Sequence, residues 1–197
     1  MLLDSQITLC GVTQQGAPAC CTIRFNSVTD YLLRPIVEQI RLAEFDTQSP
    51  FQSLDTSAFD HLVRVNYKFM SFARQSLLAG EKVIHTILQP EIREPVLSIL
   101  GKTFHRTVSP SHMGILTDRE LIMIGEEQVQ SAEDRYGGIW EYIPLNKIRA
   151  LFVSGKGSDL LSLSVQLPES ACLEYLFEAS AEREVDQLLD LARELIP

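Results

Sequence analysis

Between Gly101 and Ser180 no stretch of this chain repeats its apolar residues at helical spacing, and one amphipathic helix follows at once. This constrains the fold more than any other feature. Short extended runs are read at 139–143, 148–153, 160–167 and 172–178. Turn chemistry separates them: Pro144-Leu145-Asn146, Gly155-Lys156-Gly157 and Pro168-Glu169-Ser170. Consecutive strands on short turns pair antiparallel, and such a meander must curl or close to protect its edges. The helix is expected over 181–196. Val185, Leu188, Leu189, Ala192, Leu195 and Ile196 lie on one stripe, with Ser180 as the expected N-cap. Glu182 and Glu184 sit at the positive end of its dipole. A stripe that apolar must cover the neighbouring strands.

The first hundred residues mix both periods. Residues 6–12 and 19–25 are β-branched and apolar around the turn-forming TQQGAP, which predicts a hairpin. Pro35 should either start or kink the helix read here, since it lacks an N–H and clashes one turn back; a helix over about 35–44, starting at Pro35, is expected. A second, over about 56–78, is expected to bury Phe59, Leu62, Val63, Asn66, Phe69, Phe72, Ala73 and Leu77, with Gly80 just beyond its end. Residues 82–89 are a strand. Residues 90–101 are a connection with one helical turn near 96–100. Residues 102–117 are extended with a break at Pro110, and 121–125 return. The expected organisation is an extension over 1–79, hairpin plus helices, followed by a sheet domain over 80–197.

Composition limits the chemistry. With 26 acidic and 17 basic residues the formal charge is −9, which repels nucleic acid and anionic surfaces; no nucleic-acid partner is expected. The first residues show no basic segment before a long apolar run, and no run approaches the roughly 20 apolar residues of a membrane span, so a reducing cytoplasm is expected. There Cys10, Cys20, Cys21 and Cys172 are free thiols, and no cofactor is expected. His61, His85, His105 and His112 show no metal-ligand spacing, so no metal site is expected; His105 and His112 could face each other across the Pro110 bend. No phosphate loop, nucleophile elbow or Cys–His motif is visible, so no catalytic residue is assigned and an enzyme is not expected. The acidic run Glu126, Glu127, Glu133 and Asp134 suits a solvated loop. Trp140 and Tyr142 share one strand face and are candidates for an interaction surface.

From 82 onward the order is one strand, a long connection, six further strands and a helix. HMGILTDRELIMIGEE and WEYIPLNKIRALFV resemble the second to fifth strands of bacterial pleckstrin-homology-like (PH-like) domains over about residues 80–197. The resemblance implies an α+β fold: a bent antiparallel barrel with a C-terminal capping helix, here preceded by the N-terminal hairpin and helices. It implies a non-enzymatic binding module for a protein, a peptide or a second copy of itself, engaged along an exposed strand edge. Lipid-binding members place basic residues on and after the first strand. The corresponding region here offers Lys82, Lys102, His105 and Arg106 as candidate ligand residues, so an anionic membrane lipid headgroup is the alternative partner.

Overall fold

A computed structural model describes residues 4–12, 18–26, 30–45, 54–99, 102–126, 138–157, 159–168 and 171–197. The chain forms two compact units, Met1–Ser49 and Pro50–Pro197.

The smaller unit is a hairpin and a helix. β1 (Asp4–Val12) pairs antiparallel with β2 (Pro18–Asn26), with Ile7 opposite Ile23 and Leu9 opposite Cys21. These pairs share one face. The other carries Gln6 opposite Arg24, and Thr8 opposite Thr22 with their hydroxyls 2.9 Å apart. α1 spans Asp30–Glu44 and so begins five residues before the expected start, with Pro35 inside it. The spacing Leu32–Ile36–Ile40 carries the helical period through the proline. At the sixth helical position, Pro35 leaves only the Tyr31 carbonyl without its i+4 donor.

In the larger unit, the single helix expected over 56–78 is two pieces. A 3₁₀ turn covers Ser57–Val63, and α2 covers Tyr67–Ser76. Asn66 separates them. Its backbone is extended (φ −155°, ψ 92°), and its side-chain oxygen accepts from the Phe69 N–H at 3.2 Å. Asn66 is therefore an N-cap rather than a residue of the inner face, and Val63 is exposed. Gly80 does adopt a positive φ (76°), but in a turn four residues past the end of α2.

Nine strands follow among the described residues. β3 (Val83–Gln89), β6 (His112–Thr117), β7 (Glu120–Gly125) and β8 (Ile139–Pro144) form a four-stranded antiparallel sheet in the order β3-β6-β7-β8. β9 (Ala150–Gly155), β10 (Leu160–Gln166) and β11 (Cys172–Glu178) form a three-stranded one. The expected connection with a helical turn is instead a second hairpin, β4 (Ile92–Ile99) against β5 (Lys102–Ser109). It tolerates Pro95 because β4 pairs on one side only and bulges at Val96. α3 (Glu182–Leu195) closes the chain. Ser180 lies in the 3₁₀ turn Ala179–Ala181 ahead of it, so the N-cap position falls to Ala181.

The larger unit is thus mixed α+β, with antiparallel sheets and a C-terminal helix. The sheets do not close into the expected bent barrel: no ladder joins the two larger ones among the described residues. Where the ends of β3 and β11 approach, the Gln89 side-chain oxygen accepts the Glu178 N–H at 2.9 Å, and Gln89 Nε2–H donates to the Pro90 carbonyl at 3.0 Å. A side-chain amide thus supplies the hydrogen bond that a closing ladder would have made. A second link joins β8 to β11, where the Tyr175 hydroxyl donates to Glu141 at 2.9 Å. Burial and the neighbouring Glu141 carboxylate hold that phenol well above its ordinary pKa.

The four-stranded sheet is buried on both faces. Leu116, Leu121 and Met123 face one cluster together with Leu163, Phe177, Val185, Leu188 and Ala192, so the stripe of α3 covers the core as its spacing predicts. Met113, Ile115, Ile122 and Ile124 face the other, with Phe59, Leu62, Phe69, Met70 and Ala73 of the helical layer. Two-sided burial explains the unbroken apolar runs HMGIL and LIMI, which a one-sided sheet would alternate with polar residues. It also places residues 57–76 with the strands, so the compact unit starts at Pro50 and not near 80.

The turn between β6 and β7 is locked to the start of β3. Thr117 Oγ1 donates to Glu81 Oε1 at 2.6 Å and accepts from the Glu120 N–H at 2.9 Å. Glu81 Oε2 accepts from the Leu78 N–H at 2.7 Å. Asp118 exchanges two bonds with the Lys82 backbone, accepting its N–H at 2.9 Å and donating to its carbonyl at 3.0 Å. All of Glu81, Thr117 and Glu120 are buried, so each lost partner exposes a desolvated group.

Two substitutions test this architecture. A Cβ at Gly114 would meet Ile87 Cγ2 at 3.1 Å, Met123 Sδ at 3.3 Å and Leu188 Cδ1 at 3.6 Å, so Gly114→Val is expected to lower the unfolding free energy by about 1–3 kcal/mol. Thr117→Val, which keeps the volume and removes the hydroxyl, is expected to cost about 1–3 kcal/mol. Urea unfolding of each variant measures both.

Candidate functional site

The β4–β5 hairpin of the larger unit presents large apolar side chains to solvent. Leu97 and Phe104 are direct cross-strand partners, and Val96 is the extra residue of the adjacent bulge. They are 53%, 56% and 64% exposed, respectively. Aliphatic and aromatic groups so placed are outside the core and available to a partner. Among the described residues the hairpin is a two-stranded sheet of its own, so both strands offer an outer edge. Its charges lie nearby: Arg106 is 4.0 Å from Glu94, and Arg93 is ion-paired with Glu91, whose other oxygen accepts from Thr107 Oγ1 at 2.6 Å. Residues 92–109 hold Arg93, Lys102 and Arg106 against the single acid Glu94, in a chain of net charge −9.

The candidate ligand residues fall in two places. His105 and Arg106 are exposed on β5 opposite Pro95 and Glu94, and Lys102 opens β5 opposite Ile99. Lys82 precedes β3 at the end paired with Thr117, whereas the hairpin departs from the other end, beyond Gln89. The length of β3 separates these ends by about 20 Å. The described part of Lys82's role is in its backbone, through Asp118.

Trp140 and Tyr142 share a face of β8 as their spacing predicts, opposite Ile124 and Ile122. That face is occupied by the helical layer: Phe72 meets Trp140 edge-on with centroids 4.9 Å apart, and Tyr142 packs on the same cluster. Both aromatics are half-buried within their own chain.

The histidines lie apart. His61 Nδ1–H donates to the Ala58 carbonyl at 2.9 Å, and His85 Nε2–H to the Glu184 carbonyl at 3.2 Å. His105 is exposed, while His112 is buried edge-on to Phe177 at 4.9 Å, so the two do not share a site across Pro110. His112 Nδ1–H donates to the Pro110 carbonyl at 3.1 Å, and its buried Nε2 has no partner among the described residues. No group of three metal-ligating side chains converges among the described residues. An open depression lined by Asp60, His61, Val63, Arg64 and Arg74 has its Arg74 guanidinium already bound to Asp60 at 2.7 Å. Glu126 of the acidic run pairs with Lys68 at 2.9 Å; Glu127, Glu133 and Asp134 lie outside the described residues. No described helix is long and apolar enough to cross a membrane.

The exposed apolar residues of the hairpin were missed in the sequence. The signal was present: VLS and KTF flank Ile99-Leu100-Gly101 almost symmetrically, as two strands around a turn would.

A mixed α+β protein with a two-sided sheet, a smaller second sheet, a capping helix and an open hairpin is a scaffold without an evident reaction centre among its described residues. Neither a family model nor a curated protein matches the chain. A solved structure similar to it is a DUF1696-family protein with a pleckstrin-homology domain from Shewanella loihica: identity is 12%, the TM-score is 0.39, and the match covers 69% of this chain and 93% of that one. At that distance the likeness defines neither a family nor a ligand for this chain.

Burial holds the pKa of His112 below its ordinary value near 6.5, and partial burial does the same for His85. The unfolded chain therefore takes up these protons first. The associated stability is complete above pH 6.5 and declines as the pH falls towards the folded-state values, by at most about 1.4 kcal/mol per pH unit for each proton. Urea midpoints measured from pH 7 to 5.5 are expected to fall, with a shallower slope in His112→Phe.

Proposed function

We propose that this chain is a non-enzymatic binding module of pleckstrin-homology-like type, working in the cytoplasm, that engages a protein or peptide through the β4–β5 hairpin. The observation that carries the proposal is the cross-strand pair Leu97–Phe104, with Val96 beside it, exposed on a hairpin whose strand edges are open. An extended peptide added to such an edge gains main-chain hydrogen bonds, and the apolar pair supplies the side-chain anchor. The strand order of the larger unit, four strands and then three with a helix last, supports the PH-like reading.

A second reading rests on charge. Arg93, Lys102 and Arg106 belong to the same two strands as these apolar residues, a composition that also suits an anionic lipid surface.

One set of measurements separates the two. Extended peptides selected from a random library on the full chain are expected to lose about tenfold in affinity with Leu97→Ser or Phe104→Ser. Flotation with phosphatidylserine vesicles and with neutral vesicles tests the lipid. Salt-sensitive binding to the anionic vesicles, lost in Arg106→Glu, would replace the peptide reading. A chain that selects no peptide and floats with neither vesicle would end both.

A further inference from the structure

The smaller unit lacks something that the larger one has. No apolar side chain of it is buried among the described residues, although it contains a hairpin and a fifteen-residue helix. A two-stranded hairpin and one helix do not sustain themselves in water without covering their apolar residues. On α1, Leu32, Ile36 and Ile40 are 55%, 54% and 45% exposed. They recur every four residues and so form one continuous i±4 ridge.

We propose that this ridge is the contact of a homodimer, two copies of α1 packed antiparallel about a two-fold axis at Ile36. The ridge is self-complementary. With Ile36 on the axis, Leu32 of one copy faces Ile40 of the other, and Ile36 meets Ile36. Interdigitation of two i±4 ridges is the commonest packing between helices, and a closed two-fold pair uses the same patch twice. Charge favours a second copy too. Arg34 and Glu38 fall about 160° around the helix from Ile36, so no like charges are forced together at the seam. Residues 1–49 hold five acids and three bases, against 21 acids and 14 bases in the remainder. The nearly neutral unit can therefore meet its copy with little charge repulsion. This contact is independent of the β4–β5 hairpin, and failure of one leaves the other standing.

Sedimentation velocity of the full chain over a concentration series is expected to show a reversible monomer–dimer equilibrium. Ile36→Asp is expected to weaken it at least tenfold, whereas Glu38→Lys, on the far side of the helix, leaves it unchanged. In case Ile36→Asp unfolds the helix, cysteine cross-linking gives a second reading in a full chain whose four native cysteines are serine. Under mild oxidation Ile36→Cys is expected to form a disulfide-linked dimer rapidly, and Glu38→Cys is not. A wild-type chain that stays monomeric at every concentration overturns the proposal. So does a dimer that survives Ile36→Asp in a folded protein, or equal cross-linking of the two cysteine variants.

Discussion

Burial of the β3-β6-β7-β8 sheet on both faces is the constraint on which the larger unit depends. Each of β6 and β7 sends alternate side chains into different cores, one roofed by α3 and the other by the layer containing α2. Neither strand can slip by one residue, because every side chain would change core. Gly114 shows how closely the layers approach: its missing side chain is the space in which Leu188, Ile87 and Met123 meet. The polar residues at the sheet's ends follow from the same burial. Glu81, Thr117 and Gln89 lie where backbone groups leave the ladder without access to water, and their side chains provide the missing partners.

Much of this was legible in the residues because the signal is local. The stripe of α3 and the strand periods after Gly101 depend on nearest neighbours, and the structure shows α3 covering the core and antiparallel strands in sequence. The misreadings have physical causes. Asn66 fits a helical stripe by spacing, yet its side chain competes for the backbone N–H of Phe69 and starts a new helix instead. Pro35 signals a helix start by chemistry, but the apolar period on either side of it prevails. Residues 96–99 are mostly apolar without alternation, so neither period identifies them, and the pairing that makes them a strand comes from residues 102–104. Sheet closure is not local at all: it depends on how strands distant in the chain meet, and where β3 and β11 approach, the described bond is from the Glu178 N–H to the Gln89 side chain.

The candidate site was legible in part. The basic residues of the hairpin stand out by charge alone, and His105 and Arg106 are exposed there. Lys82 stands near them in the chain, while the run of β3 sets it at the opposite end of the sheet. Trp140 and Tyr142 were grouped correctly by face, but a single strand does not reveal that another layer covers that face.

The hairpin leaves the sheet between β3 and β6, which are hydrogen-bonded neighbours. Its two ends are thus clamped side by side by a ladder that does not involve the arm. Entropically, such a junction is almost indifferent to how many residues it carries. The arm can lengthen, shorten or be exchanged for another while the framework beneath keeps its registry, which gives the protein one position at which recognition is free to diverge from folding.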